Sequence, residues 1–159
     1  MTTMSPTVRT ATTVGDVLAT VHETWMEQVA TNLAPALSDE ADFWSRWAVV
    51  RFLSDPFGDR FRLECALLDE LDPLLPVEVT GTLASARAGL DHTMADLMIT
   101  GRRRSTGFLT ARLTRRFIDQ LALWCVEVEL ATDQIETAEL SPELRRLLTS
   151  LRAAHALSQ

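Results

Sequence analysis

The chain has no lysine and no tyrosine, and its 15 basic residues are all arginine. Without lysine no Schiff base forms, and no phosphate-binding loop of the Walker type can be completed. Only two cysteines occur, Cys65 and Cys125, each within apolar helical sequence. They read as reduced, buried thiols of a cytoplasmic protein. No run of 18 apolar residues exists, which excludes a helical membrane span. The opening MTTMSPTVRTATT has no apolar core, so residues 1–13 read as a disordered tail and not as a secretory signal. Strand-like alternation and internal repeats are also missing. The net charge of −7 argues against general nucleic-acid binding, because a duplex would be repelled over most of the surface.

What remains is helical. The 159 residues fit one domain, placed at 14–159, with 47% hydrophobic and 23% charged residues. The Ala/Leu/Arg richness resembles the bias of a GC-rich bacterium. Leu18, Val21, Trp25, Val29, Leu33 and Leu37 recur at spacings of three and four, which predicts a helix over 14–37 frayed or kinked by Pro35. Ser38, followed by Asp39 and Glu40, reads as the cap of a second helix running to about Ser54. DPFGD at 55–59 should break or bend the chain before a helix over 60–71. A long helix starts somewhere between Pro76 and Thr82, with Gly81 in or before its first turn, and ends near Gly101, with Ser105 or Thr106 capping the next. That next helix is the clearest, with Leu109, Leu113, Phe117, Leu121, Trp124, Val128, Ala131 and Ile135 on one face. SPEL at 141–144 caps a terminal helix. The expectation is an all-α bundle of about five helices around a long antiparallel hairpin, with a globin-like arrangement as the alternative. Ile118, Leu123, Val126 and Leu130 widen the apolar stripe on 109–135 beyond one bundle contact, which predicts a central helix or a dimer interface.

Chemistry is mostly excluded. A di-iron carboxylate bundle needs Glu-x-x-His pairs, but Ala19, Gly89 and Arg152 stand three residues before His22, His92 and His155. No H-x-x-x-H pair exists, so no metal and no cofactor is expected. His155 reads as a terminal surface histidine and not as a phosphotransfer residue. No G-x-S-x-G elbow is present. Arg87 and Asp91, one turn apart, make a surface ion pair. Glu64, Asp69, Glu127 and Glu129 read first as solvated helix faces, with reach to a common cavity as the alternative, where acid/base work would need burial that raises one pKa. Trp44, Trp47, Phe52, Met94, Met98 and Trp124 are the candidate lining of a small apolar ligand pocket, against the plain alternative of ordinary core.

Arg102, Arg103, Arg104, Arg112, Arg115 and Arg116 fall within residues 97–118, where no acid occurs. Three readings stand side by side. The arginines pair with the protein's own acids, within the fold or across a dimer. They dock an acidic protein partner. Or they hold a phosphate or carboxylate, which the planar guanidinium suits. Interleaved aromatics typical of nucleic-acid surfaces are lacking.

Residues 96–124, DLMITGRRRSTGFLTARLTRRFIDQLALW, resemble a segment of RsbR-type helical sensor domains. In that family a helix ends at an arginine and a glycine turn follows. A long helix then starts with leucine, carries arginine and runs to a tryptophan. The matching positions are Arg104, Gly107, Leu109, Arg116 and Trp124, and HETWMEQV at 22–29 is similar to the family's first helix. The resemblance implies a haem-free globin-like or bundle fold, a homodimer and signalling through protein contacts. The family usually carries a further output domain, and this chain stops at Gln159. The expected function is a cytoplasmic regulatory or sensor protein that works by ligand or protein binding as a homodimer. The alternative is a small cofactorless enzyme of a bacterial biosynthetic pathway. It would act on an apolar substrate, with a buried carboxylate such as Glu64 or Glu127 as acid or base.

Overall fold

The computed structural model describes residues 12–102 and 107–157. Six α-helices follow one another: α1 Val14–Leu33, α2 Phe43–Phe52, α3 Gly58–Leu71, α4 Val77–Arg102, α5 Gly107–Thr132 and α6 Pro142–Leu157. A π-helical turn, Leu53–Phe57, joins α2 to α3 without a non-helical gap. The fold is an all-α bundle with no β-strand among the described residues; Thr13 and Glu136 form one isolated bridge.

Helix ends follow local hydrogen-bond chemistry. Thr13 caps α1 in a reciprocal box: its hydroxyl accepts from the Asp16 amide, and the Asp16 carboxylate accepts from the Thr13 amide. The carbonyl of Thr12 accepts from the Thr137 amide, so the last two residues of the expected 1–13 tail are tied down; 1–11 lie outside the described residues. Helix α1 gives way at Leu33 to a 3-10 turn, Ala34–Leu37, that contains Pro35. The second helix starts later than Ser38. Asp42 is its cap, accepting from the Ser45 amide at 2.7 Å, while Ser38 is extended and its hydroxyl closes only a turn to Glu40. The expected break at 55–59 is instead the π turn. It absorbs Pro56, whose missing N–H would interrupt an α-helix. The Ser105 and Thr106 caps lie outside the described residues.

α4 packs along α5 as the long hairpin, and α1 packs along another face of α5. α3 packs against α6, and α2 against α4. The core runs through Trp25, Phe57, Phe61, Leu67, Leu90, Phe117, Leu121 and Trp124, all buried. Phe57 meets Trp25 and Phe117 edge-on at centroid distances of 5.4 and 5.7 Å, and Phe61 meets Trp124 edge-on at 5.6 Å. Two glycines permit close approaches. A Cβ on Gly15 would sit 2.9 Å from the Glu129 carbonyl, and one on Gly107 would sit 2.0 Å from the Asp39 carbonyl. The first lets α1 lie close against the end of α5. The second seats the start of α5 on the turn before α2.

Candidate ligand groove and its buried relay

α1, α3 and α5 each deliver a polar side chain to the interior. On α1, His22 shares the apolar stripe of Leu18, Val21, Trp25 and Val29, so its ring points inward and is buried. On α3, Glu64 falls between Phe61 and Leu68 on the core face and is fully buried. Trp124 of α5 donates its indole N–H to Glu64 Oε1 at 2.6 Å. Glu64 Oε2 pairs with His22 Nε2, and His22 Nδ1 pairs with Glu129 Oε2 at 3.0 Å. Glu129 is 35% exposed, so the chain Trp124–Glu64–His22–Glu129 runs from the core to the surface.

Both ring nitrogens of His22 face carboxylate oxygens. An imidazolium satisfies both, because only the charged ring has two donors. Burial alone would lower the His22 pKa, but the Glu64 carboxylate outweighs it, with help from the Cys125 thiol. The result is pushed up to about 11. Burial pushes Cys125 up despite the neighbouring His22, and pushes Cys65 up to about 12. Both cysteines are free, buried and held as thiols.

Beside this chain, α3 and α4 flank a groove. One cavity of about 270 Å³ is lined by Cys65, Leu68, Asp69, Leu83, Arg87 and Trp124, among others. A second of about 400 Å³ is lined by Leu53, Phe61, Cys65, Arg87, Met94 and Met98, among others. The two share Cys65, Arg87 and Asp91 in their linings, so they lie side by side along this groove. Arg87 crosses it, 3.6 Å from Asp69 on α3 and 4.0 Å from Asp91 on its own helix. The Arg87–Asp91 spacing was evident in the sequence; the reach to Asp69 was not.

Of the six candidate ligand residues, Met94, Met98 and Trp124 line this groove. Trp44 is 73% exposed, with Phe43 against it edge-on; Phe43 also stacks with Trp47. Phe52 is buried next to Phe57. These three line none of the four described cavities. Among the four candidate acids, Glu64 and Glu129 join through His22, Asp69 rims the groove, and Glu127 lines a separate depression between α4 and α5. Glu64 is the desolvated carboxylate that an acid/base role calls for. Its oxygens are engaged by Trp124 and His22, and it lines none of the described cavities.

His22 is the residue that sequence reasoning passed over. Its partners lie 42 and 107 positions away, so no local metal or dyad pattern reveals it. The available signal was a histidine standing within an apolar helical stripe. Among the described residues no group of three His, Cys, Asp or Glu is placed to hold a metal ion. No described helix is long and apolar enough to cross a membrane. Arg112, Arg115 and Arg116 are exposed on α5, and Arg115 donates to the Leu37 carbonyl at 3.4 Å. The side chain of Arg102, and residues Arg103 and Arg104, lie outside the described residues. Of the positions that resemble the sensor family, Gly107 makes the close approach to Asp39, Leu109 and Arg116 are exposed, and Trp124 holds Glu64. No model of a known protein family, no curated protein and no solved structure matches the chain.

Proposed function

We propose that this is a cytoplasmic regulatory or sensor protein. It binds a small apolar ligand in the α3–α4 groove and signals through protein contacts as a homodimer. One observation carries the reading: Trp124 faces the groove and also anchors the buried Glu64–His22–Glu129 chain. A ligand seated on Trp124, with its polar end at the Arg87–Asp69 bridge, would bear on a side chain that ties α5 to α3 and, through His22, to α1. Such a chain is specific to one arrangement of three helices, because any shift leaves a buried charge unpaired. Ligand binding that favours one arrangement over another shifts the population between them.

Native mass spectrometry of the purified protein tests this. The expected spectrum shows a dimer with a retained small molecule, or one that takes up small apolar amines or carboxylates from a mixture. An Ala88→Trp variant, which fills the groove from α4, should lose that uptake and keep its fold. Equal uptake by the variant would remove the groove from the account.

A further inference from the structure

The α3–α4 groove has a direction. On the α4 side, Leu83, Arg87, Asp91, Met94 and Met98 line it at spacings of four and three, so one helix face runs along both cavities. The first cavity is the acidic end. Three carboxylates, Asp69, Asp72 and Asp91, line it against one guanidinium, Arg87. That guanidinium is already held between Asp69 and Asp91, and the Asp72 carboxylate has no partner among the described residues. The second cavity is the apolar end, with Leu53, Phe61, Met94 and Met98 in its walls. Its one charge not shared with the first cavity, Arg62, is paired with Asp59.

Hydrogen-bond supply at the acidic end points the same way. The Trp124 indole N–H is committed to Glu64, so towards the cavity Trp124 offers only carbon and π surface. The Thr80 hydroxyl donates to the Val77 carbonyl at 2.9 Å. The strong donors are therefore engaged, and the groups left over are acceptors: carboxylate oxygens and the Thr80 oxygen. A carboxylate ligand would have to compete with Asp69 and Asp91 for Arg87 and would meet Asp72 with like charge. A protonated amine finds acceptors for its N–H groups and an aromatic surface that attracts cations. We propose that the groove takes an organic cation with an apolar body. The ammonium sits at Asp72 and Asp69 beside Trp124, and the body runs towards Phe61, Met94 and Met98. This rests on the reading that the groove binds a small ligand, and narrows that ligand to amines.

Three probes that share one chain and differ only in the head group test this: octylamine, octanol and octanoate, each titrated calorimetrically into the protein at pH 7. The expected order of affinity is amine, alcohol, carboxylate, with octylamine about tenfold or more above octanoate. Asp72→Asn alters an exposed position, and circular dichroism checks its fold. It should weaken octylamine about threefold, tighten octanoate and leave octanol unmoved. Ala88→Trp should abolish binding of all three. Equal affinities for the three heads, or a preference for octanoate, overturn the cation and leave the groove standing, provided that Ala88→Trp still abolishes binding. An amine preference that Asp72→Asn leaves unchanged overturns the placement of the ammonium. Binding that persists in Ala88→Trp, or no binding by any of the three, overturns the groove reading and this inference together.

Discussion

Trp124 and Glu64 are joined by a hydrogen bond of 2.6 Å between two buried side chains on different helices. The bond satisfies an indole N–H and one oxygen of a carboxylate that water does not reach. Trp124→Phe removes the donor and leaves a gap where the larger indole stood. In urea unfolding it should cost at least about 1–3 kcal/mol, the penalty for a buried acceptor left without its partner, with the cost of the gap added.

Removing a charge from the chain costs more than removing the indole donor. His22→Leu leaves Glu64 without its cation, and Glu64→Leu leaves His22 Nε2 and the Trp124 indole without their acceptor, with only Glu129 still paired to the ring. Each should destabilise by about 3–5 kcal/mol. The double variant should lose clearly less than the sum of the two, because neither remaining group is then a stranded ion. Strict additivity in the double-mutant cycle would show that the two side chains do not form a functional pair.

The relay makes stability fall on the alkaline side. The folded-state pKa of His22 is raised to about 11 from the ordinary 6.5. Its contribution is therefore complete below about pH 6.5 and lost progressively as the pH rises through about 11. Urea midpoints should decline between pH 7 and 10 in the wild type. The slope should be shallower in the His22→Leu, Glu64→Leu double variant. Cys65 and Cys125, both pushed up by burial, should resist Ellman's reagent at pH 8 until the protein unfolds.

Two glycines should respond oppositely to the same substitution. Gly81 lies within α4, and a Cβ there meets nothing within 4 Å. Gly81→Ala should stabilise by about 0.5–1 kcal/mol, since alanine loses less backbone freedom on folding. Gly107→Ala should destabilise, because its Cβ would collide with the Asp39 backbone and force α5 off the turn before α2. Thermal melts of the two variants check the sign of each effect.

The helices were readable because their apolar residues recur at three and four, from Leu18 to Val29 and from Leu113 to Val128. Boundaries were less so. Ser38 and Asp42 are both good caps in isolation, and the choice between them depends on where the chain turns under α5. The segment 55–59 was expected to break or bend the chain because proline and glycine punctuate most chains; a π turn carries the helix through both. Met94, Met98 and Trp124 were identified from apolar size and helical spacing, which the groove shares with any core. Trp44 failed that logic by facing outward. The relay was hidden because it is built from tertiary contacts: His22, Glu64 and Glu129 belong to three helices, and only their position inside apolar stripes marked them.

Trp124 is the point where the groove meets the relay. Its indole N–H resonance, assigned by loss in Trp124→Phe, is a direct reporter in nitrogen-15 spectra. In a titration with small apolar amines and carboxylates, groove binders should shift that resonance in the wild type and leave it unmoved in Ala88→Trp. Compounds that shift only the other tryptophan indoles, or that move Trp124 equally in Ala88→Trp, would contradict the account.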